Sequence, residues 1–199
     1  MYIPPHFEVT DKAEIFTFIE ANAFGQLIST LEGRYFSTHM PFLLGADRKC
    51  LLGHLARANP QWRDIEGQEV LITLQGPHDY ISPSWYHSPG VPTWNYQAVH
   101  IYGKCQVFED DTKLKQVVDK LTEKFESSFD QPWQPDYMAS MLRGIVGIEI
   151  EIAEIQCKYK LSQNRSVHDQ EGVIRQLKAG GSLQLAQAMN TNKSLPIVS

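Results

Sequence analysis

Two short runs of the chain gather polar groups that no hydrophobic core requires. Lys160-Leu161-Ser162-Gln163-Asn164-Arg165 puts two cations, a hydroxyl and two amides within six residues, with no acidic residue among them. Such a set suits an anion, and charge-assisted donors suit a phosphate in particular. A solvated surface loop is the plain alternative. His54-Leu55-Ala56-Arg57-Ala58-Asn59-Pro60-Gln61-Trp62 brings an Arg and an Asn up to a helix-like start. A guanidinium is planar and multidentate, suited to phosphate oxygens, and amides at a helix start add donors. Taken alone, this run reads as a strand end with a solvated Arg and an Asn-Pro turn.

Two further segments offer recognition rather than charge. Thr93-Trp94-Asn95-Tyr96-Gln97-Ala98-Val99-His100 follows Gln75-Gly76-Pro77-His78-Asp79-Tyr80-Ile81, and aromatic rings alternate with amides in both. Such a surface suits a flat, heteroatom-rich ring held by stacking and edge hydrogen bonds. It equally suits an aromatic dimer interface, and the two uses are compatible. Gly25-Gln26-Leu27-Ile28-Ser29-Thr30 and Thr38-His39-Met40-Pro41 read as a hairpin carrying hydroxyls and a His. Several common chemistries lack their signatures. There is no Gly-rich loop ending in Gly-Lys-Ser/Thr and no Gly-x-Gly-x-x-Gly turn. His-Glu-x-x-His and Gly-x-Ser-x-Gly are absent too. The histidines at 6, 39, 54, 78, 87, 100 and 168 show no i, i+4 pairing on an expected helix. No metal centre is therefore expected, and no catalytic residue is assigned.

These segments need elements to position them. Thr10 caps a helix expected over 10–21, with Ile15, Phe16 and Ile19 on one face. Strands are expected over 24–30, 35–44, 49–54 and 70–75, joined by short turns as in a meander. An irregular stretch, 76–94, leads into a long strand over 96–108. Asp110 and Asp111 start a helix running to 129, with Leu114, Val117, Val118, Leu121 and Phe125 at helical spacing. A shorter helix is expected over 135–143, strands over 145–152 and 155–161, and helices over 168–178 and 183–189. Residues 190–199 have little to bury and read as a loose tail. Closing such strands into a barrel removes exposed edges. Nothing marks a linker, so residues 1–189 read as one domain.

Composition narrows the class of protein. Hydrophobic residues make up 42% and charged residues 21%, as in an ordinary globular protein. No apolar run approaches the roughly 20 residues that span a bilayer. The start lacks the basic and apolar regions of a secretory signal, so a cytoplasmic location is expected. Three widely spaced cysteines argue against a disulfide framework. A net charge of −5 opposes broad binding to a nucleic-acid backbone, although a local basic patch is compatible with it.

The polar runs, taken with Met1-Tyr2-Ile3-Pro4-Pro5-His6-Phe7, Gln75-Gly76-Pro77-His78 and Gly144-Ile145-Val146-Gly147, resemble the PaiB-like family, described as FMN-binding negative transcriptional regulators. The likeness runs from Met1 to about Met189. It implies a mainly β (α+β) fold: an antiparallel six-stranded split β-barrel with flanking helices, of the pyridoxamine-phosphate-oxidase and flavin-reductase type. It also implies a homodimer with FMN at the subunit interface. By that resemblance Arg57 and Lys160 or Arg165 are the phosphate partners. Ser29, Thr30, His39 and Asn59 make polar contacts, and Trp94 lies against the flavin ring. His54, Gln163 and Asn164 complete the expected cofactor-binding set.

Three functions are compatible with an FMN site of this kind. The first is a negative regulator, whose contact with DNA finds thin support: residues 167–178 carry only Arg175 and Lys178 as cations. The second is a flavin-dependent oxidoreductase, in which the cofactor carries the electrons and His39, His54, His78 or His100 moves protons. The third is a module that binds flavin or haem without turnover.

Overall fold

The computed structural model describes residues 1–135 and 139–193. Helix α1 spans Lys12–Ala21, and strands β1 (Phe24–Leu31) and β2 (Arg34–Pro41) follow as a hairpin. Next come β3 (Leu43–Leu44), β4 (Cys50–Ala56), the one-turn helix α2 (Gln61–Asp64), β5 (Glu69–Ile81) and β6 (Thr93–Phe108). Helices α3 (Asp111–Glu126) and α4 (Ala139–Leu142), strand β7 (Ile145–Lys160) and helices α5 (Val167–Ala179) and α6 (Leu183–Lys193) complete the chain. The mainly β, antiparallel character with flanking helices is as expected. The six-stranded barrel is not: seven strands form one open sheet in the order β2-β1-β5-β6-β7-β4-β3.

The extra strand has a physical cause. Residues 35–44 read as one strand, but the chain breaks at Phe42. Its side chain is buried, and its N–H donates to Ala23 O at 2.8 Å, in register with the hairpin ladder that ends there. Leu43 and Leu44 then pair with Leu52 and Leu51 of β4, opening a new ladder. Elsewhere the expected breaks vanish. β7 runs unbroken across 153 and 154, and β5 continues through Gly76-Pro77 to Ile81. The helix expected over 135–143 is observed as α4, with residues 136–138 outside the described ones. α6 continues to Lys193, so the first four residues of the expected tail are helical, and 194–199 lie outside the described residues.

The chain forms two compact units, each assembled from separate stretches. Residues 1–15, 75–99 and 156–199 make the first; 16–74 and 100–155 make the second. Interleaving of this kind leaves no linker for the sequence to mark. In the first unit α5 and α6 pack together, burying Val173, Leu177, Leu185 and Met189. In the second unit β1 pairs with β2 and with β5 (Gly25 opposite Leu74), while β4 pairs with β7 (His54 opposite Gly147). Helix α3 lies against β4. Asp110 caps it by accepting from Lys113 N, and Leu114, Val117 and Leu121 form its buried stripe.

Candidate functional site

Within the first unit the end of β7 delivers Lys160, and the chain then turns sharply. Ser162 sits at φ 67°, a left-handed conformation uncommon for a residue with a Cβ. Gln163 fixes that turn with its own amide, accepting from Leu161 N (2.7 Å) and donating to Tyr159 O (2.5 Å). Its role is thus to shape the loop. The Ser162 hydroxyl is buried and accepts from Asn95 Nδ2 at 2.9 Å. Lys160 Nζ donates to Thr93 Oγ1 and to Trp94 O (2.5 Å). Arg165 places its guanidinium 4.6 Å from the centre of the Tyr86 ring and donates from Nη1 to Pro89 O at 3.1 Å.

Lys160, Ser162, Asn164, Arg165, Asn95 and Tyr86 line one cleft of about 120 Å³, together with Thr93 and Val91. Among the described residues neither cation is paired with a carboxylate. Burial, and then the neighbouring Lys158, lower the Lys160 ammonium from its ordinary range. Two partly desolvated cations without a counter-ion favour an anion between them. At about 120 Å³ the cleft suits a phosphate-sized group. A ring has a separate platform close by in the chain. Trp94 is 53% exposed, with Tyr80 edge-on at 6.2 Å and His78 at 6.4 Å.

One side of the cleft is a strap, residues 86–91, pinned by a carboxylate. Asp169 on α5 is buried and accepts from His87 N (2.7 Å), Ser88 N (3.1 Å) and Ser88 Oγ (2.5 Å). The Ser88 hydroxyl first, then the Ser88 amide, hold this carboxyl well below the usual carboxylate range, against the opposing effect of burial. Ser166-x-x-Asp169 is a helix-start pattern. Ser166 caps α5 by accepting from Asp169 N, which leaves the Asp169 carboxylate to reach the strap. Spacing alone could thus have found the cap but not the strap.

The remaining expected residues belong to the second unit, where all but His54 bond to other protein groups. Gln61 is fully buried and forms the node. Its Nε2 donates to Ser29 Oγ (2.9 Å) and Leu27 O (3.2 Å), and its Oε1 accepts from Thr38 Oγ1 (2.6 Å). Asn59 donates to Thr38 Oγ1 (2.9 Å) and accepts from Gln61 N (3.0 Å). Thr30 Oγ1 donates to Gln68 Oε1 at 2.9 Å. His39 is exposed and bonded to Gln26 at 3.1 Å, against the Phe24 ring. Arg57 donates to Glu109 (2.6 Å), Arg143 O (2.7 Å) and Ile145 O (3.1 Å), and is therefore already neutralised. His54 buries an unpartnered Nδ1, and burial lowers its pKa. Gln61, Asn95, Tyr86 and Asp169 are the structural contributors that the list of expected site residues omits.

The family model described as "Putative FMN-binding domain" matches residues 1–154. The chain belongs to this family. FMN is accordingly its cofactor, and the PaiB-like resemblance rests on the same footing. The chain is 46% identical over 188 residues to "Protease synthase and sporulation protein PAI 2" of Bacillus subtilis, covering 89% of each chain. It is 32% identical to an uncharacterized protein of Emericella nidulans, over 69% of this chain and 73% of that one. Two solved structures share the fold at TM-score 0.65. A flavocytochrome of Azotobacter vinelandii is 15% identical, covering 79% of this chain and 72% of its own. An FAD and haem binding protein of Mycobacterium smegmatis is 13% identical, covering 82% and 78%. Lys160 and Arg165 lie beyond the residues that the FMN-binding family model matches. Among the described residues no helix is long and apolar enough to cross a membrane.

Proposed function

We propose that the chain is a flavin-responsive negative regulator that works as a cytoplasmic homodimer. Each FMN phosphate is held by Lys160 and Arg165, and its ring lies near the subunit interface against Trp94. The observation carrying this reading is a phosphate-sized cleft lined by two cations that no carboxylate among the described residues neutralises. Asn164 adds an amide to the cleft's lining. When bound, FMN supplies reversible electron transfer. The residues of the chain bind its phosphate, orient its ring and limit water around both. Thr30 and His39 have exposed side chains and remain proposed polar contacts on the β1–β2 hairpin. Ser29, His54 and Asn59 are proposed to act from behind, by fixing the strands that carry such contacts.

A net charge of −5 favours regulation through a protein partner or a small basic patch over broad contact with DNA. The test is a titration of FMN-loaded and reduced protein against the chain's own promoter DNA at several salt concentrations. Direct regulation gives sequence preference and affinity that falls with salt. Absence of binding at low salt, together with turnover of a nicotinamide donor and an acceptor, would replace this reading with the oxidoreductase. A haem spectrum in the purified protein would replace it with the binding module.

A further inference from the structure

We propose that the strap over residues 86–91 is a specificity wall. It lets the cleft accept a terminal phosphate monoester and refuse a phosphate that continues into a second one, and Asp169 is the positioning residue that holds it. The proposal rests on the phosphate reading above and names what else that site excludes.

The strap is fixed at several independent points within the first unit. Both Asp169 carboxylate oxygens take donors from its backbone and from the Ser88 hydroxyl. Gly172, one turn further along α5, admits the strap's base: a Cβ there would meet Trp85 O at 2.4 Å. Gly90 lets Tyr86 fold back across the strap, since a Cβ at that position would meet the Tyr86 ring at 2.4 Å. Tyr86 in turn stacks on Arg165, and Arg165 donates to Pro89 O. These contacts act together, and Asp169 supplies three of them, so its carboxylate is the main tie between the strap and α5.

The consequence lies in the ligand's chemistry. FMN ends in a phosphate monoester, with three oxygens available to Lys160, Arg165 and the neighbouring donors. In FAD the same phosphorus carries only two such oxygens, and a second phosphate and a nucleoside continue from it. A cleft of about 120 Å³ holds the first and, with the strap closed, gives the second no exit on the side of Tyr86 and Val91. Asp169 does not line the cleft. It acts only through the strap. An amide at this position would keep the size but offer one accepting oxygen instead of two, leaving a strap donor unmet.

The experiment is a titration of the full-length apoprotein with FMN, FAD and riboflavin, for the wild type and for Asp169→Asn, Tyr86→Ala and Lys160→Ala. The wild type is expected to bind FMN about tenfold or more tightly than either other flavin. In Asp169→Asn and Tyr86→Ala the FMN-to-FAD ratio is expected to fall by about tenfold, with riboflavin affinity unchanged. Tyr86 is half-buried on the strap, so its variant decides the matter if Asp169→Asn does not fold. An unchanged FMN-to-FAD ratio, or an equal loss for all three flavins, overturns the wall while leaving the phosphate reading standing. If FMN and riboflavin bind the wild type equally and Lys160→Ala changes neither, the phosphate reading fails and the wall with it.

Discussion

The Lys160–Arg165 loop and the network around Gln61 are built from the same kinds of residue and do opposite things. In the second unit every polar group of the network finds a protein partner. Ser29, Thr38 and Asn59 close on Gln61, and Arg57 closes on Glu109. In the first unit Gln163 and Asn95 are likewise satisfied, but among the described residues the oxygens that Lys160 and Arg165 meet are neutral. A polar cluster that neutralises itself holds strands in place. One that keeps an uncompensated charge beside a cleft is ready for a ligand. Residue type does not separate the two cases; the presence of a counter-ion does.

The largest expected effect lies on the structural side of that comparison. Gln61→Ala leaves Ser29 Oγ, Thr38 Oγ1 and Leu27 O without their partner, and is expected to lower unfolding free energy by about 3 kcal/mol in urea titrations. The FMN-to-riboflavin ratio of the folded fraction should not change. A collapse of that ratio would mean that the network touches the cofactor's phosphate.

Next comes the ligand side. Lys160→Ala is expected to weaken FMN by about 10- to 100-fold, roughly 1.4–2.8 kcal/mol, and to leave riboflavin and the melting temperature nearly unchanged. Arg57→Ala is expected to do less. Arg57 and Glu109 are 38% and 53% exposed, so their ion pair contributes about 1 kcal/mol or less to stability. Chemical denaturation measures that loss, and flavin affinity should hold.

How far the sequence discloses this contrast depends on where the partners lie along the chain. The lack of acidic residues within 160–165 is visible, and it remains true in space. The same lack around Arg57 misleads, because Glu109 stands 52 positions away and no local pattern announces it. Gln61 is plain in the sequence, yet its burial follows from the pairing of β1 with β2, which spacing cannot supply. The antiparallel strands and the stripe of α3 are legible because alternation and helical period are local. The division of 35–44 into β2 and β3 is not, since it follows from Leu43 and Leu44 leaving β1 to pair with Leu52 and Leu51 of β4. Residues 86–91 carry no local pattern for the same reason: Asp169, which orders them, comes some 80 positions later.

The smallest effect concerns pH. Burial lowers the pKa of His54 below its ordinary 6.5, so the folded state takes up this proton only at lower pH than the unfolded state does. Between the two values the unfolded chain binds more protons, and stability falls as pH falls below about 6.5. Thermal melts between pH 7.5 and 5.5 should show that decline, and His54→Gln should flatten it slightly. His100, shifted in the same direction by its burial, should keep part of the slope.

The central claim is that the FMN phosphate sits on Lys160 and Arg165 and not on Arg57. Flavin fluorescence titrations of FMN and riboflavin against Lys160→Ala and Arg57→Ala test it most directly. The FMN preference should collapse in the first variant and survive in the second; survival in the first with collapse in the second would contradict the account.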